Sequence, residues 1–156
     1  MLAVKKICWP TDFSECSKEA LLLASEIASH FSAELYVIHV VPKPDDFTVP
    51  LHPTKYVISG SMEKMKEQSE KAIKDLLAEK VQGGMPLHTI VKVGNAAHEI
   101  LHFLEERGDI DLLVISTHGR TGLRRFALGS VTEKIIRHAS CPVLVVKSFK
   151  RENPKS

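Results

Sequence analysis

The sequence predicts a single α/β domain in which helices cover both faces of a five-stranded parallel sheet. Its length, 156 residues, suits one compact domain with its own hydrophobic core. Five β-branched runs alternate with four stretches of helical period, and this alternation is typical of a parallel sheet. Hydrophobic residues make up 44% of the chain and charged residues 26%, which are ordinary values for a globular domain.

The five strands are predicted from apolar runs bounded by polar or glycine-containing segments. Each run has four to seven residues, a length typical of strands that are buried on both faces. In chain order the runs are Val4–Trp9, Leu35–Val41, Leu87–Val93, Leu112–Ser116 and Val143–Val146. In the expected order 3-2-1-4-5, the fifth strand lies at an edge of the sheet.

Amphipathic helices are predicted after the first and second strands. The first helix carries apolar residues at helical spacing from Ala20 to Phe31 and follows the capping run Asp12-Phe13-Ser14-Glu15. The second helix extends from about Ser61 to Val81.

Two more helices follow the third and fourth strands. The third helix begins after the capping residue Asn95 and ends at Gly108. The fourth begins at Gly129-Ser130, where Ser130-Val131-Thr132-Glu133 fits a capping box.

The segment from Pro42 to Gly60 breaks the regular alternation of strands and helices. It contains four prolines and exceeds the usual loop length, so we expect a non-helical, flexible loop. The tail 149–156 is polar, basic and interrupted by proline, and we expect it to be disordered. The domain is therefore predicted to comprise residues 1–148.

Composition excludes several classes of protein. A net charge of +2 gives no strong basic field for nucleic-acid binding, and no apolar run approaches the ~18 residues of a membrane span. The first nine residues lack the long apolar region and cleavage site of a signal peptide, so we expect a cytoplasmic protein. Three widely spaced cysteines form neither a disulfide framework nor a CxxC metal site.

Two polar segments follow predicted strands in a way that packing does not require. They are Pro10-Thr11-Asp12 after the first strand and Ser116 to Thr132 after the fourth. Ligands of open parallel sheets bind beyond the carboxyl ends of the strands, where the winding reverses. Neighbouring first and fourth strands would therefore bring both segments into one crevice, where Asp12 could accept hydrogen bonds from ribose hydroxyls or hold a divalent ion.

The second segment has features of a phosphate site. Its glycines permit close backbone approach, and a helix that starts at Gly129-Ser130 points its free N–H groups outward. The hydroxyls of Ser130 and Thr132 add donors, and three arginines, Arg120, Arg124 and Arg125, add positive charge. The spacing matches neither the Rossmann nor the P-loop fingerprint, and the residues equally fit a structural interpretation as a helix cap, a glycine turn and a solvated basic surface.

Four stretches together resemble the universal stress protein family over nearly the whole chain. They are Pro10-Thr11-Asp12-Phe13-Ser14, Ser116-Thr117-His118-Gly119, Gly129-Ser130-Val131-Thr132 and Cys141-Pro142-Val143-Leu144-Val145-Val146. The ATP-binding branch of that family carries a G-x2-G-x9-G-[S/T] pattern, which Gly119 and Gly129-Ser130 match. Ser116 stands at the position of the first glycine, which in the family lies against the nucleotide sugar.

The resemblance implies an adenine-nucleotide alpha hydrolase-like fold and an ATP site with Mg²⁺ or Mn²⁺. Asp12 would contact the ribose and the backbone of Val40 would contact the adenine. The phosphates would be held, with the metal ion, by Gly119, Gly129, Ser130 and Thr132. The implied nucleotide-binding residues are Pro10, Thr11, Asp12, Val40, Ser116, His118, Gly119, Arg120, Gly122, Gly129, Ser130, Val131 and Thr132. No catalytic residue and no protein ligand for a metal is assigned.

The edge position of the fifth strand predicts an oligomer, because an exposed edge invites pairing with another chain. Antiparallel pairing with its own copy would form a homodimer through Val143, Leu144, Val145 and Val146, and the resemblance implies the same. We therefore expect a dimeric, ATP-binding switch or scaffold in the stress response, with at most slow ATP hydrolysis. The sequence names neither its signal nor its protein partner.

Three alternatives stay open. The chain could be a nucleotide-independent dimeric interaction module, which Ser116 suggests, or it could bind AMP or cyclic AMP in place of ATP. It could also be a zinc metalloprotease, since His98-Glu99-Ile100-Leu101-His102 fits HExxH, but no third zinc ligand follows at a recognised spacing.

Overall fold

The computed structural model describes residues 3–43, 55–118 and 128–147. The strands are β1 (Lys6–Thr11), β2 (Glu34–Val41), β3 (Leu87–Val93), β4 (Leu112–Ser116) and β5 (Val143–Val146). The helices are α1 (Glu15–Phe31), α2 (Lys55–Lys80), α3 (Ala96–Arg107) and α4 (Ser130–His138). The strands form one parallel sheet in the order β3-β2-β1-β4-β5, which confirms the predicted fold and the edge position of β5.

Side chains on the two faces of the sheet form two hydrophobic clusters. Ile7 and Trp9 of β1 pack with α1 and α2, whereas Cys8 packs with α3 and α4. Trp9 is fully buried, and its indole Nε1 donates a hydrogen bond of 3.0 Å to the carbonyl of Ser17. The indole therefore fastens β1 to α1 inside the core.

The capping residues predicted from the sequence begin α1 and α3. Ser14 Oγ accepts a hydrogen bond from the N–H of Ser17, and Asn95 Oδ1 accepts one from the N–H of His98. Gly108 ends α3 with φ of 61°, a left-handed conformation that favours glycine. Both helices thus start where their strands end, at the carboxyl edge of the sheet.

The connection between β2 and α2 is shorter than the sequence predicted. α2 begins at Lys55, so the last six residues of the segment 42–60 are helical, and the expectation of a non-helical loop is wrong for them. All four prolines of the segment precede Lys55, so none of them interrupts α2. Residues 44–54 and the tail 149–156 lie outside the described residues. No helix in the described ranges is long and apolar enough to cross a membrane.

Polar side chains at the amino end of the strands bond to one another. Tyr36 Oη donates a hydrogen bond of 2.8 Å to Glu34 Oε2 and accepts one of 3.0 Å from Arg107 Nη2. His88 stacks on the Tyr36 ring with centroids 4.3 Å apart, and its Nε2 lies 2.9 Å from the same Glu34 oxygen. Asp109 accepts two further bonds from Arg107. These five residues are termed the amino-end network.

Candidate functional site

A cleft of about 230 Å³ lies at the carboxyl ends of β1 and β4, which are neighbours in the sheet. The winding direction reverses between these strands, as the sequence argument required. Ten of the thirteen predicted nucleotide-binding residues line this cleft, namely Pro10, Thr11, Asp12, Val40, Ser116, His118, Gly129, Ser130, Val131 and Thr132. The other three, Gly119, Arg120 and Gly122, lie outside the described residues.

The cleft has an apolar wall that the sequence analysis did not assign to a site. Ile38 lies two residues before Val40 on β2 and therefore points to the same face. Ala96 and Ile100 are one turn apart at the start of α3, and Ile115 is a buried residue near the end of β4. All four line the cleft, together with Ser17 of α1. The spacing of these apolar residues is the sequence feature that could have indicated the wall of a cleft, but the same spacing is typical of a packed core.

The turn after β1 is held by its own polar side chains. Thr11 Oγ1 accepts hydrogen bonds from the N–H of Phe13, at 3.1 Å, and from Ser17 Oγ, at 2.9 Å. Asp12 Oδ1 accepts one of 3.0 Å from the N–H of Ser14. Phe13 has φ of 64°, a left-handed conformation that is rare for a bulky residue and costs roughly 1–3 kcal/mol. The turn thus holds Asp12 at the cleft at the expense of backbone strain.

His39 supports this turn from the neighbouring strand. Its Nδ1 lies 2.7 Å from the carbonyl oxygen of Thr11, and its ring is 4.6 Å from the ring of Phe13. The imidazole is almost completely buried in β2. Because a carbonyl accepts hydrogen bonds only, Nδ1 carries the proton in this contact.

Backbone and hydroxyl contacts join the turn after β4 to the start of α4. The N–H of Gly129 donates a hydrogen bond of 2.8 Å to the carbonyl of Thr117, and Ser116 Oγ donates one of 3.0 Å to the carbonyl of His118. Thr132 Oγ1 donates one of 2.9 Å to the carbonyl of Ser116. Thr132 is only 4% exposed and its hydroxyl joins α4 to β4, so in this arrangement it donates within the protein. Its donation to a ligand, expected from the sequence, stays a prediction.

The first turn of α4 differs from the capping box that the sequence suggested. Gly129 is the N-cap, no side chain caps the helix, and Ser130 is already the first helical residue. The first intrahelical bond runs from the N–H of Glu133 to the carbonyl of Gly129. The N–H groups of residues 130–132 therefore have no partner within the helix, and they adjoin the cleft.

His118 lines the cleft and also contains a buried polar atom. Its Nδ1 lies 2.8 Å from Thr117 Oγ1, whereas its Nε2 is buried and has no hydrogen-bond partner in the described part of the chain. A buried imidazole nitrogen without a partner is uncommon in native proteins, because its desolvation is not compensated. This nitrogen is therefore a candidate polar contact at the site.

A second cavity, of about 660 Å³, adjoins the cleft on the α2 side. The two share Asp12, Val40 and Ala96, and the second cavity also contacts Gln68 and Asn95. It includes neither Gly129 nor the first turn of α4. The features predicted for phosphate binding therefore belong to the first cleft.

The HExxH motif lies on the outer face of α3. The side chain of His98 is 73% exposed and that of His102 is 49% exposed, and Glu99 Oε1 lies 3.3 Å from His98 Nδ1. Among the described residues, no group of three or more His, Cys, Asp or Glu side chains could hold a metal ion. The protease interpretation thus lacks its third zinc ligand there.

Comparison with known proteins identifies the family of the chain. The model of the universal stress protein family matches residues 3–147. The chain belongs to the universal stress protein family. It is 42% identical over 148 residues to universal stress protein MJ0531 of Methanocaldococcus jannaschii, an alignment that covers 95% of this chain and 85% of the relative.

Solved structures show the same universal stress protein fold. The structure of protein MJ0577 has a TM-score of 0.82 and 29% sequence identity, covering 95% of this chain and 99% of that one. A universal stress protein solved in complex with cAMP has a TM-score of 0.59 and 23% identity, covering 92% and 97% of the two chains. The predicted family and the predicted sheet order are therefore confirmed.

Proposed function

We propose that this universal stress protein binds ATP with Mg²⁺ and acts as a dimeric, nucleotide-responsive switch or scaffold in the stress response. The observation that carries the proposal is the single cleft lined by ten residues from β1, β2, β4 and α4 and the turns beside them. These residues are far apart in sequence. With the apolar wall beside them, the cleft combines an apolar surface, a carboxylate and a helix N-terminus, which match the three parts of a nucleotide.

The nucleoside would occupy the half of the cleft beside β1 and β2. Ile38, Val40 and Ile100 give an apolar surface for a base, and ligand sites are mostly apolar with a few placed polar groups. Asp12, held by the strained turn, is a carboxylate that accepts hydrogen bonds from ribose hydroxyls.

The phosphates would occupy the half beside α4. The free N–H groups of its first turn and its positive dipole end favour an anion. Ser130 adds a hydroxyl, and His118 Nε2 adds a donor when Thr117 Oγ1 donates to Nδ1. Binding of a phosphate oxygen would remove the desolvation penalty of that buried nitrogen.

A magnesium ion would depend mainly on the nucleotide for its ligands. The described residues contain no three-ligand protein site, whereas Mg²⁺ commonly binds through one or two carboxylates, water and substrate phosphates. Asp12 is the cleft carboxylate that fits this pattern. The ion would neutralise phosphate charge.

We propose binding with slow turnover at most. A histidine that acts as a general base is usually oriented by a carboxylate, whereas Nδ1 of His118 contacts the hydroxyl of Thr117. The described cleft residues thus favour phosphate binding over activation of a nucleophile.

The dimer would form through β5. Val143, Leu144 and Val145 are only partly buried at this edge of the sheet, and Ile136 of the adjacent α4 is 43% exposed. The N–H of Thr117, in the turn beside the cleft, donates a hydrogen bond of 3.0 Å to the carbonyl of Val146. This bond supports a response in which an occupied cleft alters the dimer edge.

Two substitutions at opposite edges test the dimer. Val145→Lys should convert the dimer to a monomer, measured by size-exclusion chromatography with light scattering, because it places a charge in the paired edge. Thr89→Lys, at an exposed position of the other edge strand, is the matched control and should leave the mass unchanged. A dimer that persists in Val145→Lys would argue against this interface.

Calorimetric titration with ATP, ADP and AMP, each with and without Mg²⁺, tests the ligand. Binding should weaken as phosphates are removed, because each phosphate makes contacts at α4. If folded protein gives no heat of binding with any of these three nucleotides, the nucleotide-independent interaction module would be favoured. In a parallel titration with cyclic AMP, tighter binding of cyclic AMP than of ATP would instead identify an adenylate sensor.

A further inference from the structure

We infer that His98 and His102 form a two-histidine chelate for a divalent transition metal on the outer face of α3. This site is separate from the cleft and does not depend on the proposed nucleotide function. Its ligands are the two imidazoles of the HExxH motif, and its chemistry is metal binding without proteolysis.

The geometry of α3 places the two rings side by side. Residues four apart on a helix are neighbours, and the two rings are stacked with centroids 6.1 Å apart and planes only 8° from parallel. Asn95 caps the helix by accepting a hydrogen bond of 3.1 Å from the N–H of His98, so the turn that carries this residue is fixed. A helical His-x3-His pair is the arrangement in which two imidazoles reach one metal ion.

The carboxylates beside the rings determine which nitrogen can bind a metal. His98 Nδ1 lies 3.3 Å from Glu99 Oε1, and His102 Nδ1 lies 3.3 Å from Glu106 Oε2. When each Nδ1–H donates to its carboxylate, the lone pair of each ring is on Nε2. Metal-bound histidines in proteins commonly have this carboxylate contact, which orients the ring and increases its basicity.

The charge around the pair favours a cation. Glu99 and Glu106 flank the histidines. Lys92, on β3, faces the site with its Nζ 3.7 Å from Glu106 Oε2. Lys92 partly neutralises Glu106, so this carboxylate acts as an orienting partner and not as a third ligand. The site thus has two protein ligands, in agreement with the lack of any three-ligand group among the described residues.

Two imidazoles without a thiolate select for metals that prefer nitrogen. Cu²⁺, Ni²⁺ and Zn²⁺ bind imidazole well, whereas Mg²⁺ and Ca²⁺ prefer oxygen ligands. Water would fill the remaining coordination positions, because both side chains are at the surface. The site would therefore bind Ni²⁺ or Zn²⁺ and show no measurable affinity for Mg²⁺.

The test is calorimetric titration of the untagged, nucleotide-free protein with NiCl₂, repeated with ZnCl₂ and MgCl₂. The matched variant combines His102→Gln with Glu105→His, which keeps eight histidines but separates the two on α3 by seven positions. Position 105 is exposed, so the fold should tolerate the change, and circular dichroism checks this. The variant should bind Ni²⁺ about a hundredfold more weakly, because the second ligand no longer binds intramolecularly.

Histidine side-chain NMR identifies the atoms involved. The Nε2 resonances of His98 and His102 should shift on addition of Ni²⁺ or Zn²⁺, while those of His30 and His88 stay in place. Equal Ni²⁺ affinity in the variant with the moved histidine would overturn the inference. So would saturable binding that leaves the resonances of His98 and His102 unchanged, or an absence of binding by the folded wild-type protein.

Discussion

The two ends of the sheet differ in how far the described polar groups are hydrogen-bonded within the protein. At the amino end, the residues of the amino-end network form hydrogen bonds with one another across two strands and a helix. At the carboxyl end, His118 Nε2 is buried with no partner among the described residues, and the first turn of α4 has N–H groups without intrahelical partners.

This difference implies that residues at the amino end contribute mainly to stability, whereas residues at the carboxyl end contribute mainly to ligand binding. Mutual hydrogen bonds at the amino end contribute to the stability of the folded state. The strained backbone of Phe13 and the His118 nitrogen, which has no partner among the described residues, destabilise the carboxyl end, and a ligand can offset the second of these terms. Substitutions at the two ends should therefore affect different measurements.

The largest effect is expected for Gly129→Val. A Cβ at this position would lie 3.3 Å from the carbonyl oxygen of Thr117, so a branched side chain would displace the start of α4. ATP affinity measured by calorimetry should fall about a hundredfold, because phosphate contacts of ~1.5–3 kcal/mol are lost. Gly84→Val is the matched control, since a Cβ there meets nothing within 4 Å. Unchanged ATP affinity in folded Gly129→Val would show that the phosphates do not bind at the start of α4.

A smaller effect on binding is expected for His118→Asn. Asparagine can keep the contact that Nδ1 makes with Thr117 but has no atom at the Nε2 position. ATP affinity should fall about tenfold, the value of one hydrogen bond to a charged group, with little change in the free energy of unfolding. His118→Gln, whose amide reaches the Nε2 position, should recover part of the affinity. If Asn and Gln behave alike, Nε2 does not contact the ligand.

At the other end, Tyr36→Phe should lower stability without affecting binding. The substitution removes the hydroxyl that joins Glu34 to Arg107 and leaves both groups short of a partner. We expect the free energy of unfolding in urea to fall by about 1–2 kcal/mol. ATP affinity should stay within twofold of wild type, and a larger loss would show that the two ends are coupled.

The smallest effect is a change in pH dependence. The hydrogen bond from Tyr36, assisted by His88, holds the pKa of Glu34 below its usual value. Because the folded-state pKa is lowered, this stabilisation is present above the ordinary glutamate pKa and is lost as pH falls through the folded-state pKa. Thermal unfolding should therefore show that the Tm difference between wild type and Glu34→Gln narrows from pH 7 to pH 3. A difference that is constant with pH would mean that the carboxylate contributes no net charge interaction.

The sequence predicts the sheet and most of the cleft because their signals are local. β-branched runs define the strands, and the Pro10-Thr11-Asp12 and Gly129-Ser130 patterns lie where strands end or a helix starts. Ile38 and Ile100 were missed because apolar periodicity does not distinguish a packed core from the wall of a cleft.

Other features depend on contacts between distant residues. The direction of the Thr132 hydroxyl is set by the carbonyl of Ser116, which is 16 residues away in sequence. The left-handed backbone of Phe13 depends on bonds to Thr11 and on packing against His39. No pattern of residue types within the turn contains that information.

The buried indole of Trp9 gives this protein an optical reporter. It is the only tryptophan in the chain, so the intrinsic emission excited at the red edge of absorption comes from one known position. Its Nε1 bonds to Ser17, which also lines the cleft, and Pro10 and Thr11 follow it directly on β1. Fluorescence from this single residue should therefore follow both unfolding of the core and occupation of the cleft, without any added label.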